Sequence, residues 1–132
     1  MQDKNLFEYA VIRFLPRVER EEFMNIGIIL YCPAQKFLHA AFEINEQRLL
    51  AFCRDFTVTD LQEHLSAFEQ ICAGGKEAGP IGQLSIGERF RWLTAPRSTI
   101  VQISPTHSGL CADPKTMLEH LIETLVRYDI NL

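Results

Sequence analysis

The sequence predicts an α+β domain: a small, mostly antiparallel sheet of about four strands with helices packed on one face, in two layers. Three observations carry that expectation. Runs of strand length and strand composition come first in the chain. Segments with an apolar residue every three or four positions follow, each behind a helix-starting signal. The connections among the first three strands are too short for the crossovers that a parallel sheet needs. The chain has 132 residues, 47% of them hydrophobic and 23% charged, which fits one domain over residues 1–132 with a single core.

The first strand is placed at Phe7 to Leu15, where aromatic and β-branched residues dominate. The second runs from Met24 to Cys32. Unbroken alternation would put Met24, Ile26, Ile28, Leu30 and Cys32 on one face and Asn25, Gly27, Ile29 and Tyr31 on the other, the first set making the better core face. The turn-forming stretch PAQK leads into Phe37 to Phe42, so the second and third strands form a hairpin. Asn45 caps a helix whose apolar stripe is Leu49, Leu50, Cys53 and Phe56. Thr59 and Gln62 form a capping box for a second helix, with Leu61, Leu65, Phe68 and Cys72 inward and Gly74 and Gly75 at its end. KEAGPIGQ reads as a loop. Ser85 with Glu88 then opens a short helix that buries Ile86, Phe90 and Leu93 and stops before Pro96. Thr99 to Ser104 is the last strand, and PTHSGLCAD after it is irregular. Asp113 before Pro114 starts the final helix, which has an apolar face of Met117, Leu118, Leu121, Ile122 and Leu125. No internal repeat or low-complexity tract interrupts this order.

A net charge of -4 disfavours binding to nucleic acid by bulk attraction, because neutralising phosphates needs a basic surplus. The start MQDKNLFEYA lacks the basic and apolar halves of a signal peptide, and no stretch is long and apolar enough to span a bilayer. The expected compartment is the cytoplasm, with no membrane partner. Cys32, Cys53, Cys72 and Cys111 form no C-x-x-C pair and have no histidine at finger-like spacing, so they read as reduced thiols, and neither a metal site nor a cofactor is expected. The motifs of α/β-hydrolases, P-loop and dinucleotide-binding proteins and zinc proteases are missing from the chain.

Two polar clusters stand out. In FLPRVEREEFMNIGIIL, Arg13 lies in mid-strand while Arg17 and Arg20 interleave with Glu19, Glu21 and Glu22. A self-paired, solvated connection is the plainer reading of the loop charges. Arg13 differs, since a guanidinium among apolar neighbours is costly unless it is paired or aimed into a cleft. Arginine also forks onto carboxylate or phosphate. Asn25 shares a strand face with Gly27, and a glycine inside a strand marks a close approach by backbone, side chain or ligand. The second cluster is Arg97 and Ser98 before the last strand, with Thr106 and His107 after it. His107 is the candidate general base, although a lone histidine in such a loop is more often a surface residue. Trp92 and Phe90 beside Arg89 and Arg91 look like a stacking platform for single strands, yet helical spacing makes Phe90 and Leu93 core residues.

The block FEYAVIRFLPRVEREEFMNIGIILYCP together with LTAPRSTIVQISPTHSG resembles a small bacterial family described as a domain of unknown function, number three-zero-three-seven. Its motif positions fall here on Arg13, Pro16, Arg17, Glu21, Asn25, Gly27, Arg97, Ser98 and His107. The resemblance implies no reaction, cofactor or catalytic role. It does imply an accessory or regulatory setting beside a toxin-type serine/threonine kinase, and so a kinase-like protein partner.

Three classes stay open on the sequence. A non-enzymatic binding or regulatory module would recognise an anionic group or a partner surface through Arg13, Arg17, Asn25, Arg97, Ser98, Thr106 and His107. An enzyme acting on a phosphorylated or nucleotide-like substrate would use His107 as base and the arginines against developing charge. A kinase-interaction partner would show an apolar patch. The first leads, and it expects the two arginine-bearing blocks to converge on one surface.

Overall fold

The computed structural model describes residues 4–97 and 99–127. At its centre is β1 (Asn5–Phe14), antiparallel to β2 (Met24–Cys32) on one side and to both β4 (Val101–Ile103) and β5 (His107–Cys111) on the other. β3 (Phe37–Phe42) pairs antiparallel with the far side of β2 and forms the sheet margin. The helices are α1 (Glu46–Phe52), α2 (Val58–Ala73), α3 (Gly79–Gly82), α4 (Ile86–Leu93) and α5 (Pro114–Leu121), and α5 continues into a π-helical turn, Ile122–Val126. An antiparallel sheet with helices is the α+β class read from the sequence. The sheet holds one strand more, because THSGLC pairs with the free N-terminal half of β1 instead of forming a loop.

Local chemistry explains most boundaries. Asn45 accepts the Arg48 N–H at 2.9 Å, Ser85 accepts that of Glu88 at 3.3 Å and Asp113 that of Lys115 at 3.3 Å, each satisfying a donor that a helix start leaves open. α2 starts two residues before the expected Thr59 box. The Thr57 hydroxyl accepts from the Asp60 N–H at 3.1 Å while the Asp60 carboxylate accepts from the Thr57 N–H at 3.2 Å, so a carboxylate at the third position closes the box and also favours the positive helix end. KEAGPIGQ is more ordered than a loop, holding a 3₁₀ turn at Lys76–Ala78 and α3.

The expectation of helices on one face is corrected. α1, α2 and α4 cover one face, where Ala10, Ile12, Phe14 and Ile29 meet Leu49, Leu65, Phe68 and Phe90. α5 and its π-helical turn cover the other, where Phe7, Val11, Ile28 and Leu30 meet Leu118, Leu121, Ile122 and Val126. Ile12, Phe14, Ile29 and Leu49 are fully buried, and each such side chain contributes about 1.5–3 kcal/mol of transfer free energy. The physical reason for the two layers of helix lies in a β-bulge. Ile12 pairs with Gly27 but Arg13 pairs with Asn25, so Ile26 is an extra residue on β2. Inserting one residue reverses the alternation. Met24 and Ile26 therefore share the α2 face with Ile29, while Ile28, Leu30 and Cys32 turn to the α5 face and need a cover of their own. Gly27 sits at the bulge because a Cβ there would lie 2.6 Å from the Ala41 carbonyl oxygen and 2.6 Å from the Phe42 ring.

Candidate functional site

Arg13 lies between Asn25 of β2 and Gln102 of β4 on the α5 face of the sheet. It is half-buried, with its guanidinium 4.1 Å above the Phe23 ring, and its Nε has no partner among the described residues. An aromatic face is what makes this cation tolerable in mid-strand: the apolar stem packs along the sheet while the ring quadrupole holds the charge. Arg13 thus fastens the end of the β1–β2 connection. Asn25 donates to the Leu125 carbonyl at 3.1 Å and so ties β2 to the π-helical turn, leaving its Oδ1 unpartnered among the described residues.

The second block does not join them. Arg97 stacks 4.0 Å over Trp92 and donates to the Trp92 carbonyl, and it lines a groove with Phe68 and Leu93 on the α2 and α4 face. Ser98 lies outside the described residues. Thr106 is exposed. His107 opens β5 opposite Tyr9, with the two rings 5.3 Å apart, and among the described residues no carboxylate holds its imidazole as a general base requires. β1 does bring the two sequence blocks side by side, through its pairing with β4 and β5. Arg97 nevertheless lies on the α2 and α4 face, opposite Arg13, and His107, though on the Arg13 side of the sheet beside Tyr9, is four strand positions away, so the expected convergence of Arg13, Arg97 and His107 on one recess is corrected.

A different recess forms around Arg17. β1 is extended by Leu15, whose N–H donates to the Ile100 carbonyl at 2.6 Å. Pro16 then breaks the ladder, and a 3₁₀ turn at Val18–Arg20 follows, closed by Glu21 in the left-handed region at φ 56°. This connection faces the end of α1 across a space of about 510 Å³, lined on one side by Pro16, Arg17, Arg20 and Glu22 and on the other by residues 51–55. Arg20 and Glu22 pair at 2.6 Å, both exposed, which contributes at most about 1 kcal/mol.

Arg17 and Arg54 line the recess with no hydrogen bond, ion pair or ring contact among the described residues. The other arginines are engaged. Arg89 caps α2 through the Ile71 and Cys72 carbonyls, Arg91 forks onto Glu8 at 3.0 and 2.7 Å, and Arg127 forks onto Glu43 at 2.8 and 2.9 Å. Arg13 and Arg97 lie on aromatic rings, Arg20 holds Glu22, and Arg48 has a partner. The recess sets three guanidinium groups against the carboxylates of Glu22 and Asp55, a local positive surplus on a chain of net charge -4. Its half-buried wall also carries Cys53. Arg17 was marked by the sequence. Arg54 was not, because its role depends on where α1 ends in space, and CRDF carries no motif that says so.

Among the described residues no group of three or more histidine, cysteine, aspartate or glutamate side chains is placed to hold a metal ion, and no helix is long and apolar enough to cross a membrane. No curated protein and no solved structure matches the chain. One family model does, the one described as "Protein of unknown function (DUF3037)", over residues 9–126. That match takes in the whole sheet from Tyr9 onward, the Arg17 recess and all five helices, and the chain belongs to this family.

Proposed function

We propose that the protein is a binding module that recognises an anionic group, a carboxylate or a phosphate, in the recess between the β1–β2 connection and the end of α1. The observation that carries this reading is that Arg17 and Arg54, the two arginines without a partner among the described residues, line the same recess although they are far apart in sequence. Two guanidinium planes on one anion supply charge-assisted, forked hydrogen bonds, each about twice as strong as a neutral one.

The test titrates inorganic phosphate and, separately, a capped acidic peptide into the unaltered chain and into Arg17→Ala and Arg54→Ala. Both residues are exposed, so the fold should survive either change. Each variant is expected to bind about tenfold to a hundredfold more weakly, as loss of a hydrogen bond to a charged group implies. Equal binding by all three proteins would overturn the reading.

A further inference from the structure

We infer that β3 is a docking edge for an extended segment of another polypeptide, one with apolar side chains for two flanking grooves and lysine or arginine for the Glu69 rim of the groove beside α2. β3 is the margin of the sheet, paired with β2 on one side only. The Glu43 N–H donates to the Ile26 carbonyl on β2 at 2.9 Å. Backbone groups of successive strand residues point to opposite sides, so Phe37, His39 and Ala41 face β2 while Leu38, Ala40 and Phe42 present theirs outward. No strand among the described residues pairs with that side. Exposed edges are commonly guarded by lysine, proline or a bulge, and FLHAAF carries none of these.

The two faces of this edge are hollow. A groove of about 690 Å³ lies between β3 and α2, over Ala40, Phe42, Leu65 and Cys72, with Glu69 at its rim. A second, of about 620 Å³, lies between β3 and α5, over Phe37, Ala41, Leu118 and Ile122, with Glu119 at its rim. His39 and Ala40 line both, so the unpaired edge runs between them. A strand added to β3 sends alternate side chains to alternate faces, one set into each groove, and its main chain completes the ladder.

Charge selects the occupant. Glu69 and Glu119 have no ion pair among the described residues. In the second groove Lys115, unpaired among the described residues, offsets Glu119, and Arg127 is held by Glu43 and Glu123, so the uncompensated charge along the edge is Glu69 of the first groove. A second copy of this chain would bring the same two carboxylates and a further net charge of -4. A basic, apolar segment of a different chain complements the edge; a second copy repeats it.

The experiment follows backbone amides of the unaltered chain by NMR while a capped peptide with a run of valines flanked by lysines at both ends is added. The Leu38, Ala40 and Phe42 amides are expected to shift and to gain protection from exchange. The same peptide N-methylated at alternate amides, and one with glutamate in place of each lysine, should each bind at least roughly tenfold more weakly, since the first loses several main-chain hydrogen bonds and the second meets like charge. Ala40→Pro removes one outward donor without touching the β2 ladder and should weaken binding roughly threefold to tenfold. Should that variant fail to fold, the peptide arms on the unaltered chain decide the matter. Failure of the basic peptide to bind, indifference to N-methylation, or preference for the glutamate peptide would overturn the inference. Concentration-dependent protection of the same amides with no peptide present would also overturn it, by making a second copy the occupant.

Discussion

Ser104→Ala should destabilise the fold out of proportion to the atom removed. Ser104 is 3% exposed and stands where β1 passes from its pairing with β4 to its pairing with β5. Its backbone N–H donates to the Val11 carbonyl at 2.9 Å, and its hydroxyl accepts the Val11 N–H at 2.8 Å while donating to the Pro105 carbonyl at 2.9 Å. The Ser104 carbonyl does not take the Val11 N–H, so the hydroxyl oxygen accepts in its place and fills the rung that the strand switch leaves empty. Alanine keeps the Ser104 N–H bond but strands a buried donor on Val11, itself 8% exposed. An unmet buried donor costs about 1–3 kcal/mol, against about 5–15 kcal/mol for a whole domain of this kind. The assay is urea unfolding of both proteins with amide exchange read at Val11. A loss of about 1–3 kcal/mol at unchanged slope, with faster exchange at Val11, is expected. A loss below about 0.5 kcal/mol with Val11 still protected would refute the reasoning.

Other outcomes follow from the same geometry. Gly27→Ala places a Cβ 2.6 Å from both the Ala41 oxygen and the Phe42 ring and should cost about 1–3 kcal/mol in thermal or chemical unfolding; adding Phe42→Leu should restore only part, since the carbonyl stays. Unchanged stability of Gly27→Ala would contradict the bulge. Cys53 should alkylate in the native protein and be protected by phosphate, because it lines the Arg17 recess. Cys72 should stay unmodified at neutral pH, since burial pushes its thiol up to about 12, offset only in part by the Arg89 guanidinium. Mass spectrometry showing Cys72 alkylated as fast as Cys53 would count against that packing.

The strands β1 to β3 and four of the helices were legible because their signals are local. Alternation marks the strands, PAQK marks the hairpin, and Asn45, Ser85 and Asp113 each sit where a helix start needs an acceptor. The Thr57 and Thr59 alternatives differ by half a turn, and only the earlier one closes its box with a carboxylate. The bulge at Ile26 was harder, since an inserted residue leaves composition unchanged and reverses the facing of everything beyond it. A signal existed nonetheless: Ile28, Ile29 and Leu30 are consecutive apolar residues, which a strand covered on both faces shows and a half-solvated strand does not. β5 escaped because THSGLC has turn composition, and its pairing comes from the open edge of β1 rather than from its own propensity. The arginines divide in the same way. Arg13 was conspicuous in mid-strand, yet the structure gives it the Phe23 ring. Arg54 was inconspicuous, and its meaning arises only where α1 ends beside the β1–β2 connection.

The most direct test of the account is a double-mutant cycle on phosphate affinity, using the unaltered chain, Arg17→Ala, Arg54→Ala and the double variant. If both guanidinium groups grip one anion, either loss removes most of the binding and the double variant is little worse than the singles, a coupling of about 0.5–3 kcal/mol. If the two losses simply add, or if neither changes affinity, Arg17 and Arg54 do not share a ligand and the recess is not the site.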